Sequence, residues 1–135
     1  MPAPASYDYA VVRVVPRVDR EEFINAGVIL FCKACRFLGS CVEVDEERLL
    51  ALAPTIDLDM VRRHLNGILR ICDGEEDAGP IAQLSLSERF HWLVAPRSTI
   101  IQVSPVHAGV CDDPSGQLKD LFTQLVSRQA HVAGE

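Results

Sequence analysis

The side chains best equipped to handle a charged ligand are concentrated between Ser87 and Cys111, in SERFHWLVAPRSTIIQVSPVHAGVC. This stretch holds the single tryptophan, Trp92, together with His91, His107, Arg89, Arg97 and the hydroxyls of Ser98, Thr99 and Ser104. Between Ala78 and Cys111 there is one carboxylate, Glu88, although the formal net charge of the chain is −6. Donors therefore gather where little negative charge competes for them, which suits recognition of an anion. On a helix, Arg89 and Trp92 are i, i+3 neighbours, a spacing that predicts cation–π stacking. Arg97, Ser98 and Thr99 follow Pro96, at a turn where backbone N–H groups and hydroxyls can converge on a negative group. With His91 or His107 as general acid/base and Arg89 and Arg97 holding the anion, the stretch would act on a phosphorylated or nucleotide substrate. The plainer alternative is a linker whose arginine pairs with Glu88 and whose tryptophan fills the edge of the core. Arg13, reaching past the edge of the first strand, is an outlying binding candidate.

Other constellations carry less. Cys32 and Cys35 have the spacing of half a zinc site, but Cys41, Cys72, Cys111 and His107 do not complete it with a matching spacing. A thioredoxin-like pair opens a helix, whereas this pair falls in a predicted hairpin turn. Cys111 and His107 are four residues apart, which on a strand separates them by ~13 Å, too far for a thiolate and its base. Gly39, Gly67 and Gly109 are isolated, so no phosphate-binding glycine loop is present, and no metal or cofactor is expected. Arg62, Asn66 and Arg70, with Arg63 beside them, form a polar helix stripe that reads as a solvated face answering Asp57 and Asp59.

The elements that position these residues follow from periodicity. Tyr7 to Val15 is rich in β-branched and aromatic residues and predicts a strand stopped by Pro16. A charged connection, Arg17 to Asn25, leads to a second strand, Val28 to Cys32, with Gly27 at its entrance placed for a bulge or a close backbone approach. Arg36 to Val44 completes an antiparallel meander. Asp45 caps a short helix, Glu46 to Ala53, and Asp57 caps a long one ending near Cys72, with Leu58, Val61, Leu65, Ile68, Leu69 and Cys72 on one stripe and Gly74 closing it. Ser87 to Ala95 fits either helix or alternation; Ser87 as cap and Pro96 as stop favour the helix. Thr99 to Val103 is a strand, interrupted at Ser104-Pro105 and resuming towards Cys111, and Asp113-Pro114 opens a last helix. Together these predict an α+β fold, a mostly antiparallel sheet of four to five strands with helices packed on one face. Residues 1–6 read as a flexible lead-in, 7–128 as one domain and 129–135 as a flexible tail.

With 135 residues, 48% hydrophobic and 24% charged, the chain has ordinary globular composition. Its net negative charge argues against duplex nucleic acid as a partner. The first residues lack the basic and apolar regions of a signal peptide, and the longest apolar run, Ala26 to Cys32, is too short to cross a bilayer. An odd number of cysteines, mostly within apolar runs, suits a reducing cytoplasm.

The blocks YDYAVVRVVP, EEFINAGVILFC, RFLGS, DLDMVRRHL and SERFHWLVAPRSTIIQVSPVHAG resemble a bacterial family known as domain of unknown function 3037. The resemblance spans Tyr7 to Val126 and brings no activity or catalytic residues with it. The resemblance implies a protein partner, since members are often encoded near a kinase-like protein resembling the HipA toxin group. The Cys32/Cys35 pair departs from the family pattern, where that turn is charged. The expectation is a small binding or accessory protein that recognises a protein partner or anionic ligand through residues 87–111. The alternatives are the enzyme described above and a structural dimer built on an apolar sheet edge.

Overall fold

The computed structural model describes residues 4–97 and 99–127. Five antiparallel strands form one sheet: β1 (Ala5–Val14), β2 (Ile24–Cys32), β3 (Phe37–Val42), β4 (Ile101–Val103) and β5 (His107–Cys111). Four helices accompany them: α1 (Glu46–Leu52), α2 (Leu58–Asp73), α3 (Leu86–Leu93) and α4 (Pro114–Leu125). The fold is α+β, and the first three strands form the expected meander.

β1 is the axis of the sheet. β2 pairs along one side of it, while β4 and β5 share the other, with β4 beside Val12–Val14 and β5 beside Ala5–Tyr9. β1 starts at Ala5, within the lead-in expected to be flexible, because Ala5 and Ser6 pair with Cys111 and Val110. The tail from Gln129 lies outside the described residues. Between β4 and β5 the chain steps out of the ladder at Ser104-Pro105. There the Ser104 N–H donates to the Val11 carbonyl oxygen (2.8 Å) and the Val11 N–H donates to Ser104 Oγ (2.8 Å). A buried hydroxyl thus replaces the carbonyl that a regular strand would offer.

The helices cover both faces of the sheet, not one. Neighbouring residues of a strand point to opposite faces. Ile29 and Phe31 pack with Leu49, Val61, Leu65, Phe90 and Leu93, so α1, α2 and α3 share one face. Val28, Leu30 and Cys32 pack with Leu118 and Leu121, so α4 covers the other. β2 is apolar on both sides and runs without alternation, which is what burial between two layers demands. The bulge expected near Gly27 falls where the register of β1 and β2 shifts after Val12. A Cβ at Gly27 would stand 2.8 Å from the Cys41 carbonyl oxygen, so the close approach of β3 requires glycine there.

The long helix begins and ends as its sequence predicts. The Asp57 carboxylate accepts from the Met60 N–H (3.1 Å), and Gly74, at φ 66°, closes the helix with the Glu75 N–H bonded to the Arg70 carbonyl. α3 is a helix, but Ser85 caps it, two residues before the expected Ser87. Ser85 Oγ accepts from the Glu88 N–H, and the Glu88 carboxylate accepts from the Ser85 N–H, a reciprocal box that Ser87 has no partner to build. Among the described residues, no helix is long and apolar enough to cross a membrane.

Candidate functional site

Along α2 the residues Met60, Arg63, His64, Gly67, Ile68 and Ile71 recur at i, i+3, i+4, i+7, i+8 and i+11, a single helix face. That face looks across an open cleft of about 630 Å³ towards β4. Ile101, Gln102 and Val103 form the far side; Trp92 and Leu93, from the end of α3, and the turn residues Arg97 and Thr99 complete it. Three of the lining side chains are cationic or can become so (Arg63, His64, Arg97), and none is a carboxylate.

Arg97 is held in place by the end of α3. Its Nη1 donates to the carbonyls of Leu93 (3.2 Å) and Ala95 (3.3 Å), and Nη2 donates to that of Trp92 (2.7 Å). The Trp92 and Leu93 carbonyls belong to the last turn of α3, where a helix leaves them without intrahelical partners and where a cation is also favoured by the helix dipole. The guanidinium lies 4.4 Å from the centre of the Trp92 ring. The cation–π pair is therefore Arg97 with Trp92, not Arg89 with Trp92. Thr99 turns its hydroxyl back to donate to the Ile101 carbonyl (2.8 Å). His64 stands on the opposite wall, its side chain without a hydrogen bond among the described residues.

Of the candidate residues, Trp92, Arg97 and Thr99 meet in this cleft, and Ser98 lies outside the described residues. The others stand elsewhere. Arg89 is only 9% exposed and works as a staple: Nη1 donates to the carbonyls of Ile71 (2.9 Å) and Cys72 (2.8 Å), Nε to that of Leu84 (3.1 Å). It has no bond to Glu88, which is engaged in the cap. His91 is exposed, with Nδ1 2.7 Å from the Ser87 carbonyl oxygen, so that nitrogen carries its proton. His107 sits on β5, its ring 5.3 Å from that of Tyr9, on the α4 side of the sheet. Arg13 projects from the face opposite Val12 and Val14 and lies over Phe23, 4.1 Å from the ring centre. The two histidines assigned to acid–base work and the arginines assigned to hold the anion are thus not assembled in one place.

The cleft's helical wall was not anticipated. Its residue types are mixed, so it falls between the apolar stripe and the polar stripe of α2. The one sequence signal was Gly67, a glycine inside a helix where alanine is better by about 1 kcal/mol. The Arg62–Asn66–Arg70 stripe is a solvated face, but of the two acids expected to answer it only Asp59 does: Arg62 pairs with Asp59 and Glu46 and Arg70 with Glu75 and Asp77, while Asp57 caps the helix.

The five cysteines are free thiols. Burial pushes the Cys72 thiol up to about 11 and raises those of Cys41 and Cys111. A hydrogen bond with Cys32 raises that of Cys35, the exposed member of the pair. A raised thiol is a poor nucleophile near neutrality, so Cys35, Cys41, Cys72 and Cys111 lack the activation that a catalytic thiol needs. No group of three or more His, Cys, Asp or Glu among the described residues could hold a metal ion.

No curated protein and no solved structure matches the chain. The model of one family, described as a protein of unknown function (DUF3037), matches residues 9–126, which takes in all five strands in whole or part, the four helices and every wall of the cleft. The chain belongs to that family.

Proposed function

We propose that this protein is a binding module whose cleft between α2 and β4 receives an anionic partner or ligand with substantial apolar surface. The observation that carries this reading is the lining itself. Met60, Ile68, Ile71, Leu93, Ile101 and Val103 give an apolar surface, and Arg63, His64 and Arg97 place positive charge around it without a carboxylate to neutralise them. A volume of about 630 Å³ lies within the ~300–1,000 Å³ usual for ligand sites. Catalysis finds less support, since a general base needs an orienting partner and a nearby reacting group. His64 has no such partner among the described residues, and His91 and His107 are outside the cleft. Free cysteines at five positions fit a reducing compartment, which is where we place this function.

The protein carries its own reporter, because Trp92 is the single tryptophan and lines the cleft. Titration with 8-anilinonaphthalene-1-sulfonate, an apolar aromatic anion, is expected to give saturable dye fluorescence and quenching of Trp92. Met60→Glu and Arg63→Glu should each weaken both signals by about tenfold, the loss of roughly one charge-assisted or apolar contact. No saturable binding, or binding indifferent to both substitutions, would count against the cleft.

A further inference from the structure

Gly67 weakens α2, yet nothing inside the chain asks for it. A Cβ built there would meet no atom within 4 Å beyond the backbone of its own helix and its chain neighbours, in contrast to the crowded Gly27. What the missing side chain preserves is open space in the cleft.

The second observation lies along β4. In an antiparallel ladder, alternate residues bond the neighbouring strand and the others point their N–H and C=O away from it. The Val15 N–H donates to the Ile100 carbonyl (2.6 Å) and the Ser104 N–H to the Val11 carbonyl (2.8 Å). Ile100, Gln102 and Ser104 therefore face β1, and Ile101 and Val103 face outward. Thr99 takes the Ile101 carbonyl, which leaves the N–H of Ile101 and both backbone groups of Val103 without partners among the described residues. Donors two residues apart with an acceptor beside one of them are what an incoming extended chain needs. A strand laid here places every second side chain on the face that carries Ile101 and Val103, the face that α2 covers.

We propose that the occupant is an extended peptide segment of a partner protein, added to the sheet at β4, with a large apolar side chain in the space beside Gly67 and an acidic one near Arg63 and His64. This rests on the reading of the cleft as a binding site and names what fills it. A docked helix or a small amphiphilic anion would also use the apolar and cationic lining, but would leave the outward backbone groups of β4 unmet. An added strand satisfies all three features at once.

The test pans displayed random peptides of about ten residues, enough for one strand, against the full chain, then measures binding to Gly67→Leu. That variant removes a helix-weakening glycine and meets open space, so its thermal midpoint should be at or above the parent's. Enriched peptides should pair apolar with acidic residues, lose about tenfold or more in affinity towards Gly67→Leu, lose binding when alternate peptide nitrogens are methylated, and slow amide exchange at Ile101 and Val103. Peptides that bind Gly67→Leu equally well, or leave those two amides exchanging freely, overturn the inference. So does a panning that enriches nothing while the naphthalene sulfonate still binds, which would leave a small-anion cleft. Failure of that dye as well would remove the underlying reading of the cleft.

Discussion

Two arginines eight residues apart, Arg89 and Arg97, make nearly the same bonds and do different things. Each donates three hydrogen bonds to backbone carbonyls, two of them in the last turn of a helix. Arg89 reaches from α3 to the carbonyls ending α2 and is nearly buried, so its charge is spent on joining two helices. Arg97 folds back onto its own helix, stacks on a half-exposed Trp92 and lines the cleft. The difference lies in what occupies the guanidinium's remaining surface. A closed surround makes an arginine a staple, and an aromatic platform beside open space makes it the wall of a cleft.

The comparison can be broken most easily at Arg89. Arg89→Met keeps much of the stem but orphans the Cys72 and Leu84 carbonyls, Ile71 retaining the Gly74 N–H, and should cost about 2 kcal/mol in urea unfolding, at roughly 1 kcal/mol for each carbonyl left without a donor. A loss under a third of that would mean that the staple is incidental. Arg97→Ala should cost about 1 kcal/mol, because its carbonyls lie where water can replace the guanidinium. Its larger effect should be on cleft binding and on Trp92 emission; an equal loss of stability in the two variants would erase the distinction. Arg62 sets the lower limit, a solvent-facing arginine paired with carboxylates. Its hydrogen bonds hold the Glu46 carboxyl below the usual glutamate range. A depressed carboxyl adds stability above its unfolded-state pKa and loses it as pH falls through the folded value. Arg62→Ala should therefore unfold slightly more readily at neutral pH, with the gap to the parent closing in acid; a gap that widens in acid would contradict the pairing.

Where sequence and structure agree, the reason is local. Asp57 and Gly74 bracket α2 by capping chemistry that needs no distant partner, and the core stripe of Val61, Leu65 and Cys72 follows from period alone. Ser85 was equally local, yet Ser87, two residues on, carries the same hydroxyl; the decisive residue was Glu88, three beyond the true cap. The second helical layer was harder to read. α4 has an ordinary amphipathic pattern, and only the unbroken apolar run of β2 hints that both faces of the sheet are covered. Least legible was the cleft. Trp92, Arg97 and Thr99 belong to one stretch, but their opposite wall is the Met60–Ile71 face, brought alongside by packing that no spacing rule encodes. Arg89 shows the converse: its type and neighbourhood resembled a site, and its acceptors, at Ile71 and Cys72, lie far away in sequence.

The step in the chain at Ser104-Pro105 has a further effect on the rim of the sheet. It divides one edge into lengths of three and five residues, and Pro105, with no N–H, stands at the joint. An uninterrupted apolar edge invites copies of a protein to stack without limit, and a proline or an irregularity is a common guard against that. Ser104 keeps the interior of the ladder satisfied while Pro105 spoils its outside. The break therefore acts as a ruler: a chain aligned with β4 finds matching groups over a short distance before it meets Pro105. It would meter how much backbone of the proposed partner strand this sheet accepts.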